Sequence, residues 1–197
     1  YNRALSASEI ASLYAGTQPG TSVVTQTLNA ALTINGNLTL NAGTLATGSN
    51  NITVTGNWEN NGGVFTPNTG TVTLNGTGAG GAILNGGWTF NNLTISGSGG
   101  TYTLNDRLNV SSTLSISAGT LDTRSGSNYL IHAGTINQTG GTITPRTGTV
   151  VIDGATSTLT LASALNNLRI ESPRESGLVG YWSFDSGSGL SATDKSG

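Results

Sequence analysis

The sequence predicts an all-β chain wound as a β-solenoid, or parallel β-helix. Three observations predict it: short aliphatic–Thr–aliphatic triplets that recur along the chain, Asn/Gly bends between them, and an internal repeat of about 76 residues. The composition agrees. Of 197 residues, 35% are hydrophobic and only 8% charged, with 30 Gly, 32 Thr, 21 Asn and a formal net charge of −2. A typical domain is about a quarter charged. The polar surface must therefore be built from hydroxyls and amides, which favour strands and turns.

In chain order the first element is a helix. Leu5-Ser-Ala-Ser-Glu-Ile10 holds a capping box, with Ser6 as N-cap and Glu9 at N3, and Leu5 and Ile10 are placed for a hydrophobic staple. Ala11, Leu13 and Tyr14 carry the helix on, and Gly16 supplies a left-handed stop. Two to three turns are too short to hold alone, so this helix needs something to pack on.

From Thr25 the chain repeats itself. Thr25-Gln-Thr-Leu-Asn-Ala-Ala-Leu-Thr-Ile34 aligns without a gap on Thr101-Tyr-Thr-Leu-Asn-Asp-Arg-Leu-Asn-Val110, and Ala42-Gly-Thr-Leu45 on Ala118-Gly-Thr-Leu121. After a small insertion the register resumes, with Gly62-Gly-Val-Phe-Thr-Pro-Asn-Thr-Gly-Thr-Val72 against Gly140-Gly-Thr-Ile-Thr-Pro-Arg-Thr-Gly-Thr-Val150. It closes with Phe90-Asn-Asn-Leu-Thr-Ile95 against Leu165-Asn-Asn-Leu-Arg-Ile170. Two repeats, about 25–97 and 101–172, therefore fill a central region at 21–173.

Each copy is a series of short strands. Leu32-Thr-Ile34, Leu38-Thr-Leu40, Ile52-Thr-Val54, Val72-Thr-Leu74 and Leu93-Thr-Ile95 place one Thr between two aliphatics, the period-2 pattern of a strand with one buried face. Asn35-Gly36, Asn61-Gly62-Gly63, Asn75-Gly76 and Gly140-Gly141 punctuate them, because Asn and Gly tolerate the positive φ of a sharp bend. A 76-residue period is too long for one coil but divides into three or four coils of about 19 to 25 residues. Two copies then give about six to eight coils, a rod about 30 to 40 Å long at about 4.8 Å per coil. An ordinary sandwich of duplicated hairpins is the alternative architecture.

The last element is a strand in Gly177-Leu-Val-Gly-Tyr-Trp-Ser-Phe-Asp-Ser-Gly-Ser-Gly189. Its large aromatics need a partner sheet.

Resemblances enter on these residues. The stretch from Gly56 to Gly76, followed by Phe90-Asn-Asn-Leu-Thr-Ile95, resembles the Gly/Thr/Asn-rich β-strand repeats of very large bacterial surface proteins, which implies a stalk-like parallel β-helix. Tyr1–Tyr14 resembles the closing strand and terminal helix of a laminin-G/concanavalin A-like jelly roll. Gly177–Asp185, with Asp194-Lys-Ser-Gly197 after it, resembles that family's opening. The end of one jelly roll thus precedes the beginning of another, which implies the tail of a lectin-like domain at 1–20, the solenoid at 21–173 and the start of a second lectin-like domain at 174–197. The chain has no Met, so Tyr1 is expected to be a processed or internal end. Asp185 and Asp194 fall near the family's calcium region, but two carboxylates are far from the six to eight oxygens calcium takes, so no metal is assigned.

The chemistry is sparse. No apolar run approaches the roughly 18 residues of a membrane span, and no charged-then-apolar leader opens the chain. Seven scattered Lys and Arg leave no nucleic-acid footprint. The absence of Cys removes disulfides and thiolate ligands. Between 25 and 168 the acids are Glu59, Asp106, Asp122 and Asp153 and the bases Arg107, Arg124 and Arg146, too scattered for general acid–base work. Asp106–Arg107 and Asp122–Arg124 read as surface ion pairs worth under about 1 kcal/mol each. His132 falls opposite Val54 of the first copy and reads as packed or half-exposed, with no triad or metal partner. No catalytic, cofactor-binding or metal residue is assigned, and no cofactor is expected. Trp58 and Trp88 are the candidate ligand-stacking residues, although Trp58 aligns with Ile136, which favours packing. The glycosylation-like triplets at Asn37, Asn51, Asn75, Asn92, Asn109 and Asn137 arise readily in so Asn/Thr-rich a chain.

Three function classes follow. The first is a non-enzymatic structural segment of a large extracellular surface or filament protein on a bacterial cell, a rigid spacer between lectin-like, adhesive modules. Its expected partners are neighbouring repeats, copies of the same protein and cell-surface glycans. The second is a binding module, for carbohydrate through the aromatics or for ice through Thr-x-Thr rows at Thr53/Thr55, Thr71/Thr73, Thr101/Thr103 and Thr142/Thr144, provided these stack on one flat face. The third is a polysaccharide-active β-helix enzyme, for which Asp153→Asn would be the test.

Overall fold

A Thr between two aliphatics buries its neighbours and keeps its hydroxyl outside: Ile52 and Val54 are buried while Thr53 is half-exposed. Repeating that unit, with a bend every few residues, wraps the chain round a single narrow core. The computed structural model describes residues 24–155 and 159–171 and has the predicted all-β, parallel solenoid architecture, with about seven turns and no helix among the described residues. The N-terminal helix expected within 1–20 and the strand expected within 174–197 lie outside the described residues.

The cross-section has three faces. The first turn runs through β1 (Thr25–Thr27), β2 (Leu32–Ile34) and β3 (Leu38–Leu40), one strand on each face. The second repeats them as β4 (Thr44–Ala46), β5 (Ile52–Val54) and β6 (Trp58–Asn60), and the third as β7 (Val64–Thr66), β8 (Thr71–Leu74) and β9 (Gly81–Leu84). In the fourth turn Phe90 stands in for a strand on the first face, before β10 (Asn92–Ile95) and β11 (Thr101–Leu104). Later turns merge the first and second faces into long bent strands: β12 (Leu108–Ile116) then β13 (Thr120–Asp122), and β14 (Ile131–Gln138) then β15 (Thr142–Thr144). The described chain closes with β16 (Thr149–Ile152) and β17 (Asn167–Ile170) on the first face.

Every pairing among the described residues is parallel, and register is kept from turn to turn. On the second face Leu32, Ile52, Val72, Leu93, Leu114 and Ile136 are successive partners. The bend inside β12 is a bulge: Ser111 and Ser112 oppose the single Gly134, where a Cβ would lie 2.7 Å from both serine carbonyl oxygens. One extra residue on one strand is what lets a continuous ladder turn a corner.

Inward side chains form one cluster, in which Trp58 is the largest fully buried residue. Trp58 packs edge-on against Phe65 at 4.8 Å and Phe90 at 5.0 Å between ring centroids, and all three are buried. Buried amides act as backbone substitutes. The Asn60 side-chain oxygen accepts the N–H groups of Gly62 and Gly63, and Gln138 donates to Gly141 and Ser163 while accepting from the N–H groups of Ala162 and Ser163. These close turns whose own backbone groups have no strand to pair with.

The two repeats share several bends but not their positions on the faces. Thr25–Thr27 lies on the first face, whereas its equivalent Thr101–Leu104 lies on the third; Leu32–Ile34 is on the second, and Leu108–Val110 on the first. One repeat is thus three turns plus two faces, not a whole number of turns. The bends travel with it. Gly43 and Gly119 are repeat equivalents with φ of 78° and 75°, and in both a Cβ would strike the carbonyl oxygen of the turn below. Asn68 and Arg146, also equivalents, share a left-handed φ of 46° and 53° in a turn closed by a Gly70 or Gly148 N–H bond to the Pro67 or Pro145 carbonyl. Because each face asks only for alternating residues and a sharp bend, a copy fits equally well one face round.

Candidate functional site

Outward side chains on the three faces differ in chemistry. The third face and its edges carry most of the charge. Glu59 on β6 accepts a bond from Asn57, and Asp122 on β13 accepts two from the guanidinium of Arg146, at 3.0 and 2.6 Å. That partner, with a further N–H from Arg124, holds the Asp122 carboxyl below its usual range against the opposing effect of burial. The expected Asp122–Arg124 side-chain pair is not made: the Arg124 guanidinium reaches Asn105 instead. Asp106 spends its carboxylate on the backbone N–H groups of Asn85 and Gly86. Both acids reach to the turn above or below, Asp122 in addition to its Arg124 N–H, because partners in a solenoid lie a turn away.

On the first face His132 and Asp153 are joined, His132 Nε2 to Asp153 Oδ2 at 2.9 Å, each about a quarter exposed. The sequence alignment had set His132 opposite the inward Val54. In the structure Ile131 and Ala133 point inward and His132 outward, so the true match is displaced by one residue. A one-residue slip in a strand exchanges its faces. Arg169 and Glu171 form the next ion pair along, at 2.7 Å. Each of these groups answers one partner, and no three of His, Asp and Glu converge to hold a metal among the described residues.

Trp58 has no exposed ring face, so of the two candidate stacking residues only Trp88, 37% exposed after β9, is presented to solvent. At the other end of β9, in the bend between the second and third faces, the chain makes a notch of about 190 Å³ lined by Thr55, Gly56, Asn57, Gly76, Gly78, Gly80, Gly81 and Tyr102. Tyr102 fills the inner wall. Its hydroxyl accepts the Gly76 N–H at 2.8 Å and contacts the Thr55 carbonyl at 3.4 Å, and burial raises its pKa against the lowering effect of that N–H. Gly81 has no room for a Cβ beside the tyrosine ring. The notch is made by the longer third turn and is lined chiefly by backbone.

The Thr-x-Thr rows predicted from the sequence do not share a face. Thr71 and Thr73 lie on the second face and Thr53 beside them, but Thr101, Thr103, Thr142 and Thr144 lie on the third, where Ala82 and Asp122 interrupt them. The second face instead carries a column the sequence reading missed: Thr33, Thr53, Thr73, Thr94, Ser115, Asn137 and Thr160 are successive partners. Spacings of 20 to 23 residues hide it from any short motif.

No family model matches the chain, and neither does any curated protein or solved structure. The parallel β-solenoid is thus the class that the structure defines.

Proposed function

We propose that this chain is a non-enzymatic structural segment of a large extracellular bacterial surface or filament protein, a rigid spacer that holds lectin-like, adhesive modules apart. The observation that carries the reading is the parallel ladder, continuous from β2 to β14 on the second face and from β3 to β15 on the third, in which side chains are spent on the turns above and below. Ladder hydrogen bonds and stacked Asn and Thr give stiffness without disulfides or dense charge. The resemblance of the stretch from Gly56 to Gly76 to surface-protein repeats supports it. So do the two lectin-like signatures at 1–20 and 174–197.

Electron microscopy of the protein with its native flanking sequence tests this. Straight segments about 34 Å long per seven turns, between globules, are expected from a rise of about 4.8 Å per turn. A compact particle without rods would overturn it. Cleavage of a neutral or acidic glycan that disappears in Asp153→Asn would replace it with an enzyme.

A further inference from the structure

Charge is absent from one face of the rod. Among the described residues every ionised or ionisable acid, base and histidine falls on the first face, on the third, or at a corner: Glu59 and Asp122 on the third, His132 and Arg169 on the first, the others in the bends. The outer side of the second face is made of two columns. One is Thr33, Thr53, Thr73, Thr94, Ser115, Asn137 and Thr160, and the other is Asn51, Thr71, Asn92, Thr113 and Thr135. None of these positions is charged, aromatic or aliphatic.

The columns also differ in what their side chains do. In the second, Asn51 accepts the Thr71 N–H and Asn92 the Thr113 N–H, so these amides pin one turn to the next. In the first, the hydroxyls of Thr33, Thr53, Thr73, Thr94 and Ser115 make no hydrogen bond to the protein. Five consecutive hydroxyls stand in line on a backbone held by parallel ladders, on both sides for all but Thr33 on the end strand β2. Strands are about 4.8 Å apart and alternate residues along a strand about 6.7 Å apart, so the two columns form a fixed grid of those repeats.

A partner for such a grid must itself be flat, neutral, periodic and rich in hydrogen bonds. A soluble sugar wants a concave site with aromatic platforms, and this face has neither. A second copy laid face to face would bury a row of hydroxyls, each costly unless matched, for little apolar gain. Ice presents flat rows of water oxygens at repeats close to those of the grid. Each Thr offers a hydroxyl to anchor a water and a methyl to hem it in.

We propose that the outer face of β2, β5, β8, β10 and the second halves of β12 and β14 binds ice, with Thr33, Thr53, Thr73, Thr94 and Ser115 as the anchoring row. The hydroxyl row is fixed by the parallel ladders of its strands, so little ordering of the protein remains to be done when the two meet.

The test is slow growth of an ice surface in a solution of the labelled chain, with crystal habit and protein incorporation as readouts. The wild type is expected to facet the crystals and enter the ice. Thr73→Tyr combined with Thr94→Tyr puts two rings on the grid, in strand positions that tolerate aromatics, and should reduce incorporation at least about tenfold. Thr73→Lys with Thr94→Lys is the second variant, and circular dichroism checks that both keep the wild-type strand signal. Thr142→Tyr, an exposed change on the third face, should leave incorporation unchanged. Unfaceted crystals with the wild type, or full incorporation of the double variants, would overturn the proposal. So would retention on insoluble cellulose or chitin in place of ice, or a sedimenting dimer that Thr73→Tyr/Thr94→Tyr dissociates.

Discussion

Truncating Trp58 separates packing from ligand stacking most sharply. Its ring is fully buried, meeting Phe65 and Phe90 edge-on at 4.8 and 5.0 Å. Trp58→Ala removes the largest side chain of the cluster, and buried aromatic truncations of this kind cost about 3 to 5 kcal/mol. Trp58→Phe keeps most of that contact. It also removes an indole N–H that has no acceptor in the core, a group whose burial itself costs about 1 to 3 kcal/mol. The loss of volume and the removal of this penalty oppose each other, so the phenylalanine variant should lie within about 1 to 2 kcal/mol of wild type. In urea, followed by far-ultraviolet circular dichroism, the alanine variant should unfold about 2 M earlier for a slope of about 2 kcal/mol/M. Because turns in a solenoid are stabilised chiefly by their neighbours, amide exchange should rise first in β5 to β8. An alanine variant within 1 kcal/mol of wild type, or a phenylalanine variant as unstable as alanine, would refute the packing argument and return Trp58 to the list of surface platforms.

Other substitutions probe the bends and the polar closures. Gly97→Ala places a Cβ 1.9 Å from the Gly76 carbonyl oxygen and should destabilise by more than about 2 kcal/mol, whereas Gly78→Ala, with nothing within 4 Å, should change thermal unfolding by under about 0.5 kcal/mol. Gln138→Leu strips four hydrogen bonds from a buried amide, leaving the Ala162 and Ser163 N–H groups without it; a loss of about 2 to 4 kcal/mol is expected, with amide exchange accelerated around 159–167. Asp122 has a folded pKa below its reference of 3.8, so its contribution is complete above that value and fades as pH falls through the folded one. Asp122→Asn should therefore lower the urea midpoint at pH 7 and match wild type in strong acid; an equal deficit at both pH values would rule out the ionised Asp122–Arg146 contact as its source.

Much of the solenoid was readable because its rules are local. Alternation at Ile52-Thr-Val54 and a bend at Asn61-Gly62 are each complete within a few residues, and their recurrence made coiling the economical reading. What was not readable depends on which turn lies above which. Asp122 meets Arg146 rather than Arg124, and Thr53 meets Thr73 and Thr33, because partners are set by coil length, which varies with every inserted residue. His132 shows how little error is needed: one residue of misalignment at the insertion before Ile131 set it opposite the inward Val54, and although a half-exposed position was one of its two readings, the Asp153 partner a turn away was not seen. The buried amides Asn60 and Gln138 were missed because nothing in an Asn-rich chain marks the few that point inward.

The displacement of the second repeat by one face bears on how such a chain can lengthen. A duplication that had to supply whole turns would be constrained to a few lengths, and each face would keep its own chemistry from copy to copy. Here the only requirement is that the inward pattern and the bends arrive in phase, as they do for Gly43 with Gly119 and for Asn68 with Arg146. The outward residues are then dealt to new faces. Thr33 on the second face becomes Asn109 on the first, and Thr39 on the third becomes Ser115 on the second. A continuous neutral column on the second face is consequently not inherited from the repeat. It combines the middle strands of one copy with differently placed strands of the next, and its freedom from charge across that junction is a property of the assembled surface rather than of the duplicated unit.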